Sequence, residues 1–389
     1  LRALVAETGA GRVVWSRQYE REARARDTEV KAALKADGVE AVSVNSALLF
    51  EPWTVETTEG SYYKVYTPFW KAVRGAELAE PLPAPSDLAP PEDWPASDRL
   101  GDWQLGRAMN RGAEVVARHA IVGEDAAWER FRRFRDEAIG RYKADRDRLD
   151  LDATSRMSQA LSFGEISARA LWHEGWDAVR RLSGEAATGA ETFVSELVWR
   201  EFAYHLLYHT PQIEDENWRE EWDAFPWAED GEGAERWRRG RTGVEAVDAA
   251  MREMYVTGTM HNRGRMIVAS FLTKHLLVHW RVGERWFRDH LIDWDPASNA
   301  MGWQWSAGSG PDATPFFRIF NPATQGERFD PNRAYRDRWI AEGRDRPNSD
   351  ALSYFEAIPR SWGMSPQDRY PEPVIGLKEG RERALEAYR

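Results

Sequence analysis

Cysteine is absent from all 389 residues, which removes disulfides, thiolate nucleophiles, zinc knuckles and iron–sulfur clusters together. Redox chemistry in such a chain needs an organic cofactor. Long apolar runs are missing too. The stretch from Met266 to Trp280 is broken by Lys274, His275 and His279, so nothing approaches the length of a bilayer span. No signal peptide is visible, and a soluble intracellular protein without a membrane partner is the expectation. Histidine is scarce: His205 with His209 and His275 with His279 have the i,i+4 spacing of metal ligands, but neither pair has a third ligand close in sequence, so no metal is expected. Positive charge is in deficit, with 53 Lys and Arg against 64 Asp and Glu and a net charge of −11, which taken alone opposes a polyanionic partner. The acids cluster, however, in Glu214-Asp215-Glu216 and Glu229-Asp230-Gly231-Glu232, and other surfaces are left free to be basic.

What the chain has in excess is tryptophan, 20 in all, most of which must serve as packing mass. Trp15, Trp53, Trp94, Trp103, Trp339 and Trp362 are given no role beyond that. The length suits two domains. After a short helix-like start come the strand signals Val13-Val14-Trp15 and Val42-Ser43-Val44, separated by a charged helical segment from Tyr19 to Ala36 that Asp37-Gly38 closes. This is half of a doubly wound parallel α/β unit that begins in the middle, so residues 1–48 read as the remnant of an α/β domain and the chain as a fragment of a longer one. Residues 49–125, with Pro81, Pro83, Pro85, Pro90, Pro91 and Pro95, read as a linker that wraps rather than packs. From residue 126 to 389 the period is helical, in Trp128–Tyr142, Glu191–Leu207, Gly243–Met254 and Arg263–Trp280, and no strong strand signal intervenes. The fold class expected is α/β plus a large all-α domain, without internal repeats.

Four segments could carry chemistry. In Met260–Met266, Asn262 and Met266 are four apart and share a helix face, offering an amide and a soft apolar contact to a flat, partly polar ligand. Alone, that is an ordinary helix start with Met in the core. In Ser195–Phe202, Glu196 and Trp199 are three apart, so a carboxylate and an indole can address one ligand; the plain alternative is a surface Glu beside a core Trp. Asp152-Ala153-Thr154-Ser155-Arg156-Met157-Ser158 looks like a helix-capping signal, and a helix N-terminus with hydroxyls and an Arg is also an anion site suited to a diphosphate. Finally, Asp293 and Asp295 are acceptors two apart, for one of which Arg265 could be the partner.

The run from Asp293 to Trp305, followed by Phe316-Phe317-Arg318-Ile319-Phe320-Asn321-Pro322, resembles the flavin site of the DNA photolyase and cryptochrome family. Asn262-Arg263-Gly264-Arg265-Met266 ahead of Ser270–Lys274, and Trp199-Arg200-Glu201-Phe202, are similar to the version found in class I cyclobutane pyrimidine dimer photolyases. The likeness runs from Tyr19 to Tyr388. It implies FAD as cofactor, its diphosphate held by Thr154, Ser155, Arg156, Met157 and Ser158 with Tyr142 upstream. It sets Asp293 against Arg265 and the isoalloxazine, with Trp294 beside it, Asp295 at the flavin edge and Asn299 beside flavin N5, where plant cryptochromes carry Asp. A neutral amide is no ready proton donor, which suits a flavin kept as the reduced anion. Trp303, Trp280 and Trp227 match the family's electron-transfer triad.

The partner implied is damaged DNA. A pyrimidine dimer flips into a pocket lined by Glu196, Trp199, Asn262, Met266 and Trp305, an electron from the light-excited reduced flavin splits it, and the electron returns. Arg200 lies in the same run as Glu196, and Arg146, Arg263, Lys274, Arg318 and Gln325 match DNA-facing positions. The family further implies a monomeric, cytoplasmic protein of bacterial type, nucleoid-associated when bound to DNA. Folate-binding members place Asn-Glu where this chain has Glu22-Ala23, so a deazaflavin antenna, or none, is expected rather than folate. His275 stands where relatives carry Asp. The alternatives are a cryptochrome-type blue-light photoreceptor and repair of (6-4) photoproducts, for which members use a His pair where this chain has His261-Asn262.

Overall fold

The structure is a computed structural model and describes residues 1–389. After α1 (Arg2–Thr8), strands β1 (Arg12–Ser16) and β2 (Glu40–Val44) pair in parallel, Val13 opposite Ala41 and Trp15 opposite Ser43, with α2 (Arg21–Ala36) as the crossover. Gly38, at φ +79°, takes the left-handed turn that ends α2, a conformation glycine adopts without steric cost. This layer is thin. Leu34 and Ala41 are the residues these four elements bury, whereas Tyr19, Leu48 and Leu49 join the core of the helical body.

The join between the two is made by a carboxylate. Glu201, 2% exposed, accepts the N–H groups of Leu49 at 2.8 Å and Phe50 at 3.1 Å, satisfying backbone donors that the turn would otherwise bury unpaired. Burial pushes its pKa up to about 7, against the opposing pull of Arg200. A raised carboxyl pKa gives a stability contribution complete below its unfolded value of 4.5 and lost as pH rises through about 7. Relative to Glu201→Gln, which keeps an acceptor but does not titrate, the wild type is therefore expected to lose melting temperature between pH 5 and pH 8. Parallel melting curves at the two pH values check this, and a constant difference would refute it.

The linker expectation needs correcting in part. Leu82, Leu88 and Trp94 do stand exposed in the proline-rich stretch, but α3 (Tyr66–Val73) buries Tyr66, Phe69 and Val73 against the body. Its eight residues carry a helical apolar stripe that the surrounding proline and charge obscure. Further along, α4 (Gly112–Ala117) buries Val115 and Val116.

In the body, α5 (Glu124–Glu137), α6 (Tyr142–Asp145), α7 (Ser158–Phe163) and α8 (Ala168–Arg181) lead to α9 (Gly184–His209), a 26-residue helix. Because α9 meets α3, α6, α8 and a later helix, Pro296–Ala307, nearly its whole C-terminal half is buried, and no amphipathic stripe survives there. A second core gathers α10 (Glu232–Arg238), α11 (Glu245–Thr257), α12 (Asn262–Ser270), α13 (Trp280–His290) and α14 (Pro296–Ala307), closed by α15 (Pro322–Phe329), α16 (Ala334–Trp339), α17 (Ser349–Ala357) and α18 (Leu377–Tyr388).

The helix expected over Arg263–Trp280 is not continuous. After α12 the chain makes a π turn, Phe271–His275, in which the Thr273 hydroxyl donates back to the Ala269 carbonyl at 2.8 Å. Leu277 then takes φ +57°, and α13 starts afresh with His279 as its cap, Nδ1 accepting from the Arg281 N–H. Every residue of the turn is buried, so no exposed face alternates with a buried one and periodicity does not mark the break. No helix is long and apolar enough to cross a membrane.

Candidate functional site

Three segments far apart in sequence converge on Asp293, which is 4% exposed. Its Oδ2 accepts the Ser158 hydroxyl at 2.6 Å and Arg265 Nη2 at 2.7 Å, while Oδ1 is buried without a protein partner. A buried acceptor left open is costly, roughly 1–3 kcal/mol, unless a ligand donor completes it. Here the resemblance puts the isoalloxazine, and the open oxygen fits such a group. Trp294 lies alongside, its carbonyl taking the Ser162 hydroxyl at 2.8 Å and its indole N–H unpaired.

The capping expected in Thr154–Ser158 is not made. Met157 occupies the cap position of α7 and has no side-chain oxygen to cap with, while Ser158, the first helical residue, gives its hydroxyl to Asp293. Buried Arg130 shapes this loop instead, donating to the carbonyls of Thr154 at 2.6 Å and Ser155 at 3.2 Å and forking onto Asp152 at 2.8 Å through both terminal nitrogens. Arg156 sits at φ +55°, in the left-handed region where a non-glycine residue is strained, with its side chain half-exposed and 3.3 Å from Asp152. Tyr142 is buried upstream, under the Arg146 guanidinium.

Asp295 is the N-cap of α14, Oδ1 accepting the Ser298 N–H at 2.7 Å, with Pro296 next. Its Oδ2 accepts the Tyr204 hydroxyl at 2.8 Å, so both oxygens already have protein partners. On the same helix Asn299 donates through its amide nitrogen to the carbonyl of Glu284 at 3.1 Å and to its carboxylate at 3.0 Å. A carbonyl can only accept, which fixes the amide orientation and points Asn299 Oδ1 away from Glu284.

Trp303, 2% exposed, packs directly on Gly283; a Cβ there would lie 2.0 Å from the ring's Cη2 and within 2.5 Å of two further ring carbons. Trp280, three residues before Gly283, shares that face of α13, fully buried, its indole donating to Asn217 Oδ1 at 2.8 Å. The His279 ring lies 5.4 Å from Trp280 and 5.0 Å from Trp227, which is half-buried and donates to the Trp222 carbonyl. Burial thus falls from Trp303 and Trp280 to Trp227.

Of the pocket residues, Trp199 and Trp305 are half-buried, Asn262 makes a 3.8 Å contact with the Met266 sulfur, and Glu196 is ion-paired with Arg146, Nη2 to Oε2 2.8 Å. Arg318 is exposed, and Gln325 is half-buried with an unpaired Oε1. Three cations expected to face DNA turn inward instead. Lys274 is 1% exposed, its ammonium donating to the Arg318 carbonyl at 3.0 Å, and burial pulls its pKa down to about 7. Arg263 pairs with Asp147 at 2.5 Å over the Phe329 ring, and Arg200 lies between Asp295 and the Ala47 carbonyl. Helical spacing gives a face and not what covers it; for Lys274 the π turn also shifts the face. His205 and His209 both reach the Pro52 carbonyl, and no group of three or more His, Asp or Glu is arranged to hold a metal ion.

A family profile described as the FAD binding domain of DNA photolyase matches residues 193–389, and another described as DNA photolyase matches residues 1–86. The deoxyribodipyrimidine photo-lyase of Agrobacterium fabrum is 44% identical over 393 residues, covering 100% of this chain and 81% of that protein. The chain belongs to the DNA photolyase family. Among photolyase structures, a bacterial class III enzyme from Agrobacterium tumefaciens matches with a TM-score of 0.89 at 43% identity, covering 100% of this chain and 80% of that one. A Synechocystis cryptochrome matches with 0.78 at 27% identity, covering 99% and 80%.

As a photolyase the protein is an enzyme whose cofactor is FAD. Sequence reasoning missed Arg130 and Glu284. For Arg130 a signal existed: it is three residues from Ala127 on the apolar face of α5, where an unpaired charge would be untenable. For Glu284 none existed, since its partner Asn299 is known only once α13 and α14 pack.

Proposed function

We propose that this photolyase repairs cyclobutane pyrimidine dimers in damaged DNA, driven by light through its flavin. The observation that carries the reading is that Ser158 and Arg265 fix buried Asp293 through Oδ2 and leave its Oδ1 as an open acceptor, while Asn299 on α14 is a neutral amide oriented by Glu284. When bound and reduced, FAD supplies the excited electron that opens the cyclobutane ring. The chain's own residues do the rest. Asp293 and Arg265 bind and orient the flavin, and Trp199 and Trp305 offer indole faces to the flipped bases. Glu196 presents a carboxylate whose charge Arg146 already balances, which lowers the cost of covering it with substrate. Trp303, Trp280 and Trp227 form the route by which an oxidised flavin is re-reduced. On class, 43% identity to a class III enzyme over the whole chain weighs more than a handful of class I motif residues, and we favour class III. The antenna reading, deazaflavin or none, rests on Glu22-Ala23 in α2.

The test is thymine-dimer loss in UV-irradiated oligo(dT) under blue light, followed as recovery of thymine absorbance after photoreduction of the purified protein. Recovery is expected, and Trp305→Ala should lower dimer affinity by about tenfold, the order measured for a lost base–indole stack. Photoreducible flavin without recovery would sink the repair reading and favour a photoreceptor.

A further inference from the structure

Trp199 is held from behind by a residue outside the pocket helices. The Tyr66 ring stacks on it with centroids 3.6 Å apart and planes 9° from parallel, tighter than any other aromatic pair in the molecule. Tyr66 also donates its hydroxyl to the Ser195 carbonyl at 2.5 Å and lies 2.7 Å from the Ser195 Oγ, one residue before Glu196. Its backbone N–H, at the start of α3, donates to Asp312 Oδ2 at 3.0 Å. Asp312 stands at φ +51° in the loop that leaves α14, the helix bearing Trp305, and leads to Arg318. One side chain from the linker segment thus touches the turn of α9 that presents Glu196 and Trp199, and its backbone is tied to the loop beyond Trp305.

We infer that Tyr66 is a positioning residue for dimer recognition: it fixes the plane of Trp199 so that the opposite indole face is presented to the flipped pyrimidines, and it holds the Ser195–Glu196 turn in register with that face. Ordinary core packing would not need this set of contacts. Parallel stacking constrains the tilt of the indole, which an edge contact such as that of Phe202, 5.8 Å away, leaves free. The hydroxyl bond fixes the rotation of Tyr66 itself, and burial raises the phenol pKa, so the hydroxyl remains a donor. A mobile Trp199 would have to be ordered at the moment of binding, at the expense of affinity for the dimer and not of affinity for the phosphate backbone. This inference rests on the dimer-repair reading above.

The experiment measures binding of the flavin-loaded protein to two oligonucleotides of one sequence, with and without a single thymine dimer, for wild type, Tyr66→Phe and Tyr66→Leu. Tyr66→Phe keeps the stack and loses the hydroxyl bond, and the preference for dimer over undamaged DNA is expected to fall about threefold. Tyr66→Leu loses both and should fall about thirtyfold. In both, affinity for undamaged DNA and the flavin absorbance per protein should stay at wild-type values, which a general loss of packing would not leave untouched. Unchanged preference in Tyr66→Leu, or equal loss on both oligonucleotides, overturns the proposal. Should Tyr66→Leu fail to retain flavin, Tyr66→Phe decides alone, and wild-type preference there overturns it. A wild type that shows no preference for the dimer would instead overturn the repair reading itself.

Discussion

Gly283→Ala is expected to lower the melting temperature and slow flavin photoreduction by more than tenfold, although it adds a single methyl group. The added Cβ would overlap three atoms of the Trp303 ring. That ring is closed in by Phe287 at 4.9 Å and Trp237 at 6.0 Å, and Trp303 is 2% exposed, so it cannot swing into solvent. Overpacking of this kind costs about 1–3 kcal/mol, and relief requires α13 and α14 to move apart, which changes the separation of Trp303 from Trp280. Gly302→Ala is the control: it too lies within a helix, but nothing stands within 4 Å of its added methyl, and it is expected to photoreduce as the wild type does and to melt slightly higher. Calorimetry and blue-light reduction of the oxidised flavin, run on both variants, check the pair. If Gly283→Ala photoreduces at the wild-type rate, Trp303 is not part of the route.

The second large effect is expected at Asp293. Asp293→Ala removes the partner of Arg265 and of the Ser158 hydroxyl together with the open oxygen assigned to the flavin. Losing this acceptor costs about 1–3 kcal/mol, the range for a hydrogen bond to a charged group, because the Arg265 side chain is 28% exposed and stays partly hydrated. Flavin affinity should fall by roughly tenfold to a hundredfold, and the protein should purify with much less colour. Asp293→Asn, which retains an acceptor, should lie between. The ratio of flavin absorbance to protein absorbance, with a titration of added FAD, measures it, and full occupancy in Asp293→Ala would mean that the open oxygen faces something other than the cofactor.

The two variants also divide what could be read in advance from what could not. Asp293 was legible because its acid, the neighbouring Trp294 and the downstream Asn299 stand in one short run. The obstruction at Gly283 was not, because nothing local says which side chain of α14 lies over it. The same division appears elsewhere. The βαβ start, the proline-rich stretch and the helical body follow from period and composition, which are properties of neighbouring residues. The buried stripe of α3 was obscured by the prolines and charges around it, and the break at Phe271–His275 left no mark in the period because every residue of the turn is buried.

Period and composition determined a helical body behind a βαβ start, and the resemblance of four short motifs to a known family implied that its acids, amides, indoles and arginines serve a flavin and a base. Tertiary structure decided which of those groups face a ligand and which face each other. It turned Lys274, Arg263 and Arg200 inward, gave the Ser158 hydroxyl to Asp293 across 135 residues of sequence, and set Tyr66 behind Trp199. The physical reason is that a charge or hydroxyl takes whichever partner packing brings within 3 Å. That partner is supplied by helices whose mutual placement no local pattern records.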